Sequence, residues 1–213
     1  MKSPVFDRLV QFDEKSRQYP IRTLVPKKPR SYTWSCKTFL DQGSEGACVG
    51  FSWAHELAAR PKAQKGITTE NAQQIYRTAR TLDEWEGEDY EGTSVLAGAK
   101  AVSNQGLIKE YRWAFGLDDL ILAVGYAGTA VLGVNWYSGM MNVNSQGFLV
   151  VSGSQVGGHA ILCHGVNVRE GYFKVHNSWG QDWGVNGEAK ISFADMARLL
   201  QEQGEACIPL VRK

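Results

Sequence analysis

A single cysteine stands where a buried helix is expected to begin. The stretch "GSEGACVGFSWAHELAA", residues 43–59, has a glycine-rich turn before Cys48 and mostly apolar residues after it. The predicted helix ends at Arg60-Pro61, because proline cannot continue it. The dipole at a helix N-terminus favours a thiolate, the nucleophilic form of cysteine. Cys48 is therefore either a small core residue or a nucleophile, depending on the partners that the rest of the chain supplies.

A catalytic thiol needs a histidine beside it, and the chain has four. His159 follows two glycines and precedes a hydrophobic strand, which is a good place to present a side chain at the edge of a cleft. His55 lies about two helical turns beyond Cys48, too far along the axis to reach its sulfur. His164 and His176 are interpreted as structural or surface residues. The sequence therefore favours His159 as the partner of Cys48.

Two amide side chains fit the remaining roles in such a site. Asn177 lies at a predicted strand end in "HNSWGQDWGVNGEAKI", and an amide can fix the tautomer and orientation of an imidazole. The indole of Trp179 is suited to shield that hydrogen bond from water. Gln42 precedes Cys48 by six residues. Its amide, with the Cys48 backbone N–H, could donate hydrogen bonds to an oxyanion.

The composition is that of an ordinary globular protein. Of the 213 residues, 43% are hydrophobic and 21% charged, and the formal net charge is +1. This balance argues against a nucleic-acid-binding protein, and no run of about 18 apolar residues predicts a membrane span. The first twenty residues carry no apolar secretion signal. We therefore expect a cytoplasmic protein.

The cysteines are widely spaced and form no C-x-x-C pair. Paired-cysteine metal sites are therefore not expected, and we predict neither a metal nor a cofactor. In a reducing compartment the thiols stay free. A disulfide between Cys207 and either Cys36 or Cys163 remains an alternative, although all three are interpreted as structural thiols.

The elements that must position these residues divide the chain into two halves. Residues 1–30 are predicted to form an N-terminal extension that straps onto the surface or occupies part of a cleft. A helical lobe follows over 31–122, with helices predicted at 70–82 and 93–106. A β-rich lobe over 123–213 has four or five antiparallel strands, a short helix and a final strand. Helices first and strands second indicate an α+β protein of two lobes.

An acidic run lies in the helical half. Six acidic residues stand between Asp83 and Glu91. A solvated loop is the simplest interpretation. A preference for basic ligands or a weak cation site with oxygen ligands are the alternatives, although the spacing is not that of an EF-hand.

Three blocks, in this order, resemble the signature blocks of papain-like cysteine peptidases: "DQGSEGACVGFSWA", "GGHAILCHGV" and "HNSWGQDWGVNGEAKI". The resemblance covers residues 32–213. It implies a papain-like α+β fold, with the nucleophile helix in a helical left lobe and an antiparallel, β-barrel-like right lobe. The active site would lie in the cleft between them. Cys48 would be the nucleophile and His159 the general base and then acid. Asn177 would orient His159, and Gln42 would complete the oxyanion hole.

The same resemblance implies substrate contacts. Trp179 would cover the hydrogen bond between His159 and Asn177 and line the leaving-group side. Gly92 would lie near the cleft, where the family pairs the substrate backbone. Ala160 would help to line the pocket for the second residue before the scissile bond, where a small alanine leaves room for an apolar side chain.

Two departures from the family pattern stand beside the nucleophile. Glu45 occupies a position where the family usually has a cysteine, and Val49 one where it usually has an aromatic residue. The usual disulfides are mostly missing, and the blocks lie closer together than is usual. The chain looks like a compact, disulfide-poor variant, more similar to bacterial or bacteriophage members than to secreted animal or plant ones.

The expected function is that of a cysteine endopeptidase acting on a peptide or protein substrate. We expect a monomer without a nucleic-acid or membrane partner. One alternative is an acyltransferase or transpeptidase that uses the same residues. The other is a catalytically silent peptide-binding protein on the same scaffold. Competent residue types at all four proposed catalytic positions argue against the silent protein.

Overall fold

The structure, a computed structural model, describes residues 5–26, 28–87 and 90–212. Within these ranges no helix is both long and apolar enough to cross a membrane. The helices and strands in chain order are β1 (Arg8–Leu9), β2 (Tyr32–Thr33), α1 (Cys48–Ala58), α2 (Thr69–Arg80), β3 (Thr93–Ser94), α3 (Val95–Asn104), β4 (Ile108–Trp113), α4 (Leu117–Tyr126), β5 (Ala130–Tyr137), β6 (Phe148–Leu149), β7 (Gln155–Asn167), β8 (Tyr172–His176), β9 (Glu188–Ser192), α5 (Phe193–Gln201) and β10 (Glu205–Arg212).

Helix α1 is the centre of the helical lobe. Every one of its residues is buried, as expected of a helix that is apolar around most of its circumference. Helices α2 and α3 and strand β7 pack against it. Gly50 permits the approach of α2, because a Cβ there would overlap the carbonyl oxygen of Ala72. The helix that begins with Cys48 is therefore held on several sides.

The second lobe is built on an eight-stranded sheet. Its order is β4-β10-β5-β7-β8-β9-β6, with β2 paired to β7. The neighbouring strands are antiparallel except β6 and β9, which are parallel. The long strand β7 is antiparallel to β5 on one side and β8 on the other. Large fully buried side chains such as Trp136, Phe173 and Leu132 fill the core beside it.

The lobe boundary differs from the predicted division into 31–122 and 123–213. The predicted boundary falls inside α4, and Leu120 and Val124 of that helix belong to the core cluster of the sheet lobe. Strand β4, which was not predicted from the sequence, pairs with β10. The predicted helices at 70–82 and 93–106 are found as α2 and α3. The sheet lobe therefore begins near residue 108, earlier than its composition suggested.

The N-terminal extension lies between the two lobes and is attached to both; its residues 1–4 and 27 are outside the described ranges. Strand β1 pairs in parallel with β3 of the helical lobe, and Asp7 bridges to Gly158 of β7. Farther along, Ile21 is fully buried in the core of the sheet lobe. The carbonyl oxygen of Tyr19 accepts a hydrogen bond from the backbone N–H of Trp113. The extension therefore occupies part of the cleft, which was one of the two predicted placements.

The acidic run is partly anchored. Asp83 accepts hydrogen bonds from the hydroxyls of Tyr90 (2.8 Å) and Thr93 (2.6 Å). Glu88 and Asp89 lie outside the described residues. Asp83, at the start of the run, therefore stabilises the segment that leads into β3.

All four cysteines are buried and free. Neither alternative disulfide of Cys207 is formed. The expectation of free thiols is met in the structure.

Candidate active site

Cys48 is the first residue of α1 and is fully buried. The backbone of Ala160 and of Asp7 lies close to its sulfur. Burial raises the pKa of the thiol to about 11, although these nearby backbone groups act in the opposite direction. In this state Cys48 is a thiol in contact with the N-terminal extension on one side and β7 on the other.

His159 lies on β7 immediately before Ala160, and its side chain is also fully buried. Its Nε2 is 2.8 Å from Oδ1 of Asn177. The same oxygen accepts a hydrogen bond from the backbone N–H of Ser178, at 2.8 Å. Because a backbone N–H can only donate, it fixes the oxygen of Asn177 in this position. Nε2 of His159 must therefore carry the proton that it donates to Asn177.

This tautomer leaves Nδ1 of His159 with a free lone pair. Nδ1 finds no hydrogen-bond partner within the described part of the chain. Burial lowers the pKa of His159 to about 4, against a smaller opposite effect of its hydrogen bond with Asn177. A neutral imidazole with an open Nδ1, beside the backbone that contacts the Cys48 sulfur, is the arrangement that a general base requires.

Aromatic rings enclose the imidazole. The ring of Trp179 lies 5.0 Å from that of His159 at an interplanar angle of 33°, and Trp136 approaches edge-on at 4.8 Å. The extension contributes a third ring, Phe6, at 5.8 Å. The predicted cover by Trp179 corresponds to this geometry, whereas Trp136 and Phe6 were not predicted. Together the rings exclude water from the hydrogen bond between His159 and Asn177.

Gln42 is buried beside the same segment. Its Oε1 accepts a hydrogen bond of 2.6 Å from the hydroxyl of Ser178. Its amide nitrogen donates one hydrogen bond of 2.9 Å to the carbonyl oxygen of Glu45. An amide nitrogen has two N–H groups, so one remains for a ligand. Ser178 therefore orients Gln42, a role that was not predicted from the sequence although the residue directly follows Asn177.

The extension fills the cleft next to the sulfur. The backbone N–H of Thr93 donates to the carbonyl oxygen of Asp7, at 3.2 Å. A Cβ on Gly92 would overlap this oxygen, and a Cβ on Gly46 would overlap the Asp7 carboxyl group. Gly92, predicted to lie near the cleft, thus contacts a segment of the protein itself.

The remaining histidines form a buried cluster behind the site. Nε2 of His55 accepts a hydrogen bond of 3.1 Å from the backbone N–H of Leu40, and its ring centroid lies 4.4 Å from that of His176. Nε2 of His164 is 3.6 Å from the carboxylate of Glu188. Across the described residues, no group of three or more His, Cys, Asp or Glu side chains is arranged to hold a metal ion. All three histidines are buried, and their interpretation as structural residues stays a prediction.

These histidines predict a loss of stability in acid. Burial lowers the pKa of His55 well below its usual value, with His176 adding to the effect, and burial also lowers that of His164. The unfolded chain takes up protons below about pH 6.5, while folded His55 stays neutral. We expect His55 to remove about 1.4 kcal/mol of unfolding free energy per pH unit as the pH falls below 6.5, until its own folded pKa is reached.

Urea unfolding at pH 5, 6 and 7 measures this effect. The comparison is with His55→Gln, whose amide oxygen can still accept from Leu40. The variant should be less stable at pH 7 but should show a shallower pH dependence. The difference between the two proteins removes contributions of other groups, including Glu205, whose raised pKa favours the folded state in acid. Equal slopes would contradict the prediction.

Known proteins are similar to this chain in sequence and in fold. No protein-family profile matches the chain. A peptidase C1-like protein of Acanthamoeba polyphaga mimivirus is 23% identical over an alignment 203 positions long, and the match covers 74% of this chain and 65% of that protein. Xylellain, a cysteine protease from Xylella fastidiosa, matches with a TM-score of 0.68 and 15% identity, over 98% of this chain and 96% of that one. The Carica candamarcensis cysteine protease CMS1MS2, in complex with E-64, matches with a TM-score of 0.64 and 16% identity, over 87% and 100%.

The structural likenesses show a papain-like fold of two lobes, with mixed helix and sheet. The resemblance to papain-like cysteine peptidases and the α+β architecture predicted from it are therefore confirmed. This chain spans less than two thirds of the length of the viral relative.

Proposed function

We propose that this protein is a cysteine peptidase that cleaves peptide bonds through a thioester on Cys48. The hydrogen bond between Asn177 and Nε2 of His159 carries the proposal. It leaves Nδ1 as a base beside the backbone that contacts the Cys48 sulfur. The position of Cys48 at the start of α1 supports it, because the helix dipole favours a thiolate.

In the proposed reaction, Nδ1 of His159 takes the proton of the Cys48 thiol. The sulfur then attacks the carbonyl carbon of the substrate, and the carbonyl oxygen becomes an oxyanion. The backbone N–H of Cys48 and the remaining amide N–H of Gln42 donate hydrogen bonds to it. His159 returns the proton to the leaving amine as the carbon–nitrogen bond breaks. Water, deprotonated by His159, then hydrolyses the thioester, and the sulfur leaves as a thiolate.

The N-terminal extension blocks this reaction in the state described here. His159 protonates the leaving amine, so the part of a substrate that follows the scissile bond must lie on the side of His159 and Trp179. That side is occupied by Phe6, whose ring is 5.8 Å from both rings. Arg8 lies on the other side of Cys48. The extension therefore runs opposite to a productive substrate, so it inhibits without being cleaved.

Labelling with an epoxysuccinyl peptide tests the proposed function. The full chain, the full-length variant Arg8→Ala and the double variant Arg8→Ala/His159→Ala are treated and read by intact mass and peptide mapping. We expect one adduct, on Cys48, to form faster when Arg8 is replaced and at least about 100-fold more slowly when His159 is also replaced. The three other cysteines serve as internal controls. No adduct on Cys48, or equal labelling of all four cysteines, would favour the silent peptide-binding protein.

A further inference from the structure

The side chain of Arg8 is completely buried in a pocket beside the proposed active site. One terminal nitrogen of its guanidinium lies 2.8 Å from the carbonyl oxygen of Gly133, 2.7 Å from that of Gln203 and 3.0 Å from the carboxylate of Glu205. Side-chain exposure is 0% for Arg8 and 10% for Glu205. The remaining guanidinium nitrogens have no hydrogen-bond partner among the described residues. The pocket thus holds a cation through one carboxylate and two carbonyl oxygens.

Gly133 supplies the space for this guanidinium. A Cβ on Gly133 would lie 2.5 Å from Nε of Arg8 and 2.8 Å from Cγ2 of Val95. Gly133 is not among the glycines with a positive φ, so an alanine would be tolerated by the backbone itself. The glycine is therefore required by the volume of the side chain in the pocket.

Glu205 disfavours both an empty pocket and an apolar group in the pocket. Burial raises the pKa of its carboxyl group to about 7, even though Arg8 acts in the opposite direction. A buried carboxylate is stabilised by a cation with matching donors, and an apolar side chain would leave it unpaired. The cation that the pocket holds in this structure is the guanidinium of an arginine.

The pocket lies on the acyl side of the nucleophile. The backbone of Asp7 contacts the Cys48 sulfur, and Phe6 lies on the leaving-group side. Arg8 is the next residue away from the leaving group. Ala160, whose backbone also contacts the sulfur, pairs with Gly133 across β5 and β7. A substrate would therefore place here the side chain of the second residue before the scissile bond.

We propose that this pocket selects a substrate with arginine at the second position before the scissile bond, and that Arg8 of the extension occupies it in the latent enzyme. The inference rests on the proposed peptidase function and narrows it to arginine-containing peptides. It replaces the expectation of an apolar side chain beside Ala160. The small residues Ala160 and Gly133 leave space for a side chain, but the carboxylate of Glu205 lies at the end of that space.

Matched substrates test the selectivity. Acetyl-Xaa-Gln-aminomethylcoumarin is prepared with arginine, citrulline, lysine or leucine as Xaa, citrulline being the neutral isostere of arginine. For the full chain we expect kcat/KM to be at least about 100-fold higher for arginine than for citrulline or leucine. Glu205→Gln should bring these ratios to within about fivefold. The same variant should raise kcat/KM for leucine, because it also loosens Arg8. A merely structural role of Glu205 would change kcat/KM for both substrates alike and leave their ratio unchanged.

A second measurement separates this inference from the proposed function. Binding of acetyl-Arg-Gln-amide and its citrulline analogue is measured by calorimetry with full-length Arg8→Ala, in which the pocket is vacated. We expect arginine to bind at least about tenfold more tightly, and Arg8→Ala/Glu205→Gln to lose the difference. If no substrate is hydrolysed but the preference for the arginine peptide is observed, the proposed peptidase function is refuted and the proposed arginine pocket is supported. The proposed arginine pocket is refuted if the two peptides bind equally, or if Glu205→Gln leaves the substrate selectivity unchanged.

A second variant guards against misfolding of Glu205→Gln. Gly133→Ala narrows the pocket without changing its charge. It should lower kcat/KM for the arginine substrate at least about tenfold and, because it also displaces Arg8, raise that for leucine. An unchanged arginine preference in this variant contradicts the proposal.

Discussion

Removal of residues 1–9 should raise the rate of peptide hydrolysis about 1000-fold over that of the full chain. The extension is held in the cleft by the buried ion pair of Arg8 with Glu205, by Phe6 among the aromatic rings and by backbone hydrogen bonds of Asp7. Breaking one partner of a buried pair costs about 3–5 kcal/mol. About 1.4 kcal/mol corresponds to a factor of ten in an equilibrium constant. A closed state that is favoured over the open state by about 4 kcal/mol therefore leaves one molecule in about a thousand open.

The measurement is kcat/KM for one fluorogenic peptide with both proteins. Gly158→Ala in the full chain is an independent variant, because its Cβ would overlap the carbonyl oxygen of Arg8. A synthetic peptide of residues 5–12 should inhibit the shortened protein. Replacing Arg8 in that peptide should weaken inhibition at least about tenfold, whereas replacing Val10, which is exposed, should not. Equal activity of the shortened and full chains would refute the inhibitory role.

The ionisation state of the proposed catalytic pair should change with the extension. In the closed state burial raises the pKa of Cys48 to about 11 and lowers that of His159 to about 4. At pH 7 the closed protein should therefore hold about one thiolate per ten thousand molecules. Without residues 1–9, water and the helix N-terminus stabilise the thiolate, and a protonated His159 stabilises it further. We expect most molecules of the shortened protein to hold the thiolate at pH 6.

Thiolate absorbance near 240 nm measures this change when the spectrum of the matching Cys48→Ala variant is subtracted, which cancels the other three cysteines. For the full chain the signal should appear only near pH 11. For the shortened chain it should persist to below pH 6, and His159→Ala in that background should reduce it to a few per cent at pH 7. A thiolate signal at pH 6 in the full chain would contradict the prediction.

This proton transfer is internal to the site. The proton passes from sulfur to imidazole, so opening the cleft near neutral pH takes up no proton from solvent. Titration of Cys48 and His159 therefore leaves the equilibrium between the closed and open states nearly independent of pH in that range. Only above the pKa of the imidazolium does the open state lose a proton that the closed state still holds on Cys48. A further rise in pH should then favour the open state.

The residues predicted from sequence were those whose chemistry has a local signature. Cys48 was recognisable because an apolar helix follows a glycine-rich turn, and His159 because two glycines precede a hydrophobic strand. The fold followed from the resemblance of three blocks. Asn177 and Gln42 were assigned roles by type and spacing, and their contacts fit those roles, although catalysis itself stays a prediction.

The contributions of the extension could not be predicted residue by residue. Phe6 and Arg8 lie in a polar segment without helical or strand periodicity, so nothing local distinguished them from surface residues. Arg8 meets Gly133, 125 positions away, and Glu205, 197 positions away. A single sequence contains no signal for such distant pairs. The pocket was expected to be apolar because Ala160 was visible in a motif and Glu205 was not.

The missed elements have a different cause. The stretch "IKEYRW" of β4 includes three charged residues, and four of its six residues are not fully buried. Only its pairing with β10 makes it a strand. The stretch "LDDLILAVGY" of α4 is nearly continuous in apolar residues, and such a short run does not distinguish a buried strand from a buried helix. Tertiary context determined both.

The anchoring of the extension beyond the cleft determines how the proposed inhibition would be relieved. Ile21 is buried in the sheet lobe, and the carbonyl oxygen of Tyr19 accepts a hydrogen bond from Trp113. The segment that we propose to be inhibitory is therefore a tethered ligand, whose effective concentration is set by the short chain between residues 9 and 19. Dilution of the protein cannot release it. A single cut within that chain would convert it to a free peptide, and at ordinary protein concentrations the peptide would then be lost by mass action. One cut outside the cleft would thus be enough to turn a reversible block into a permanent release.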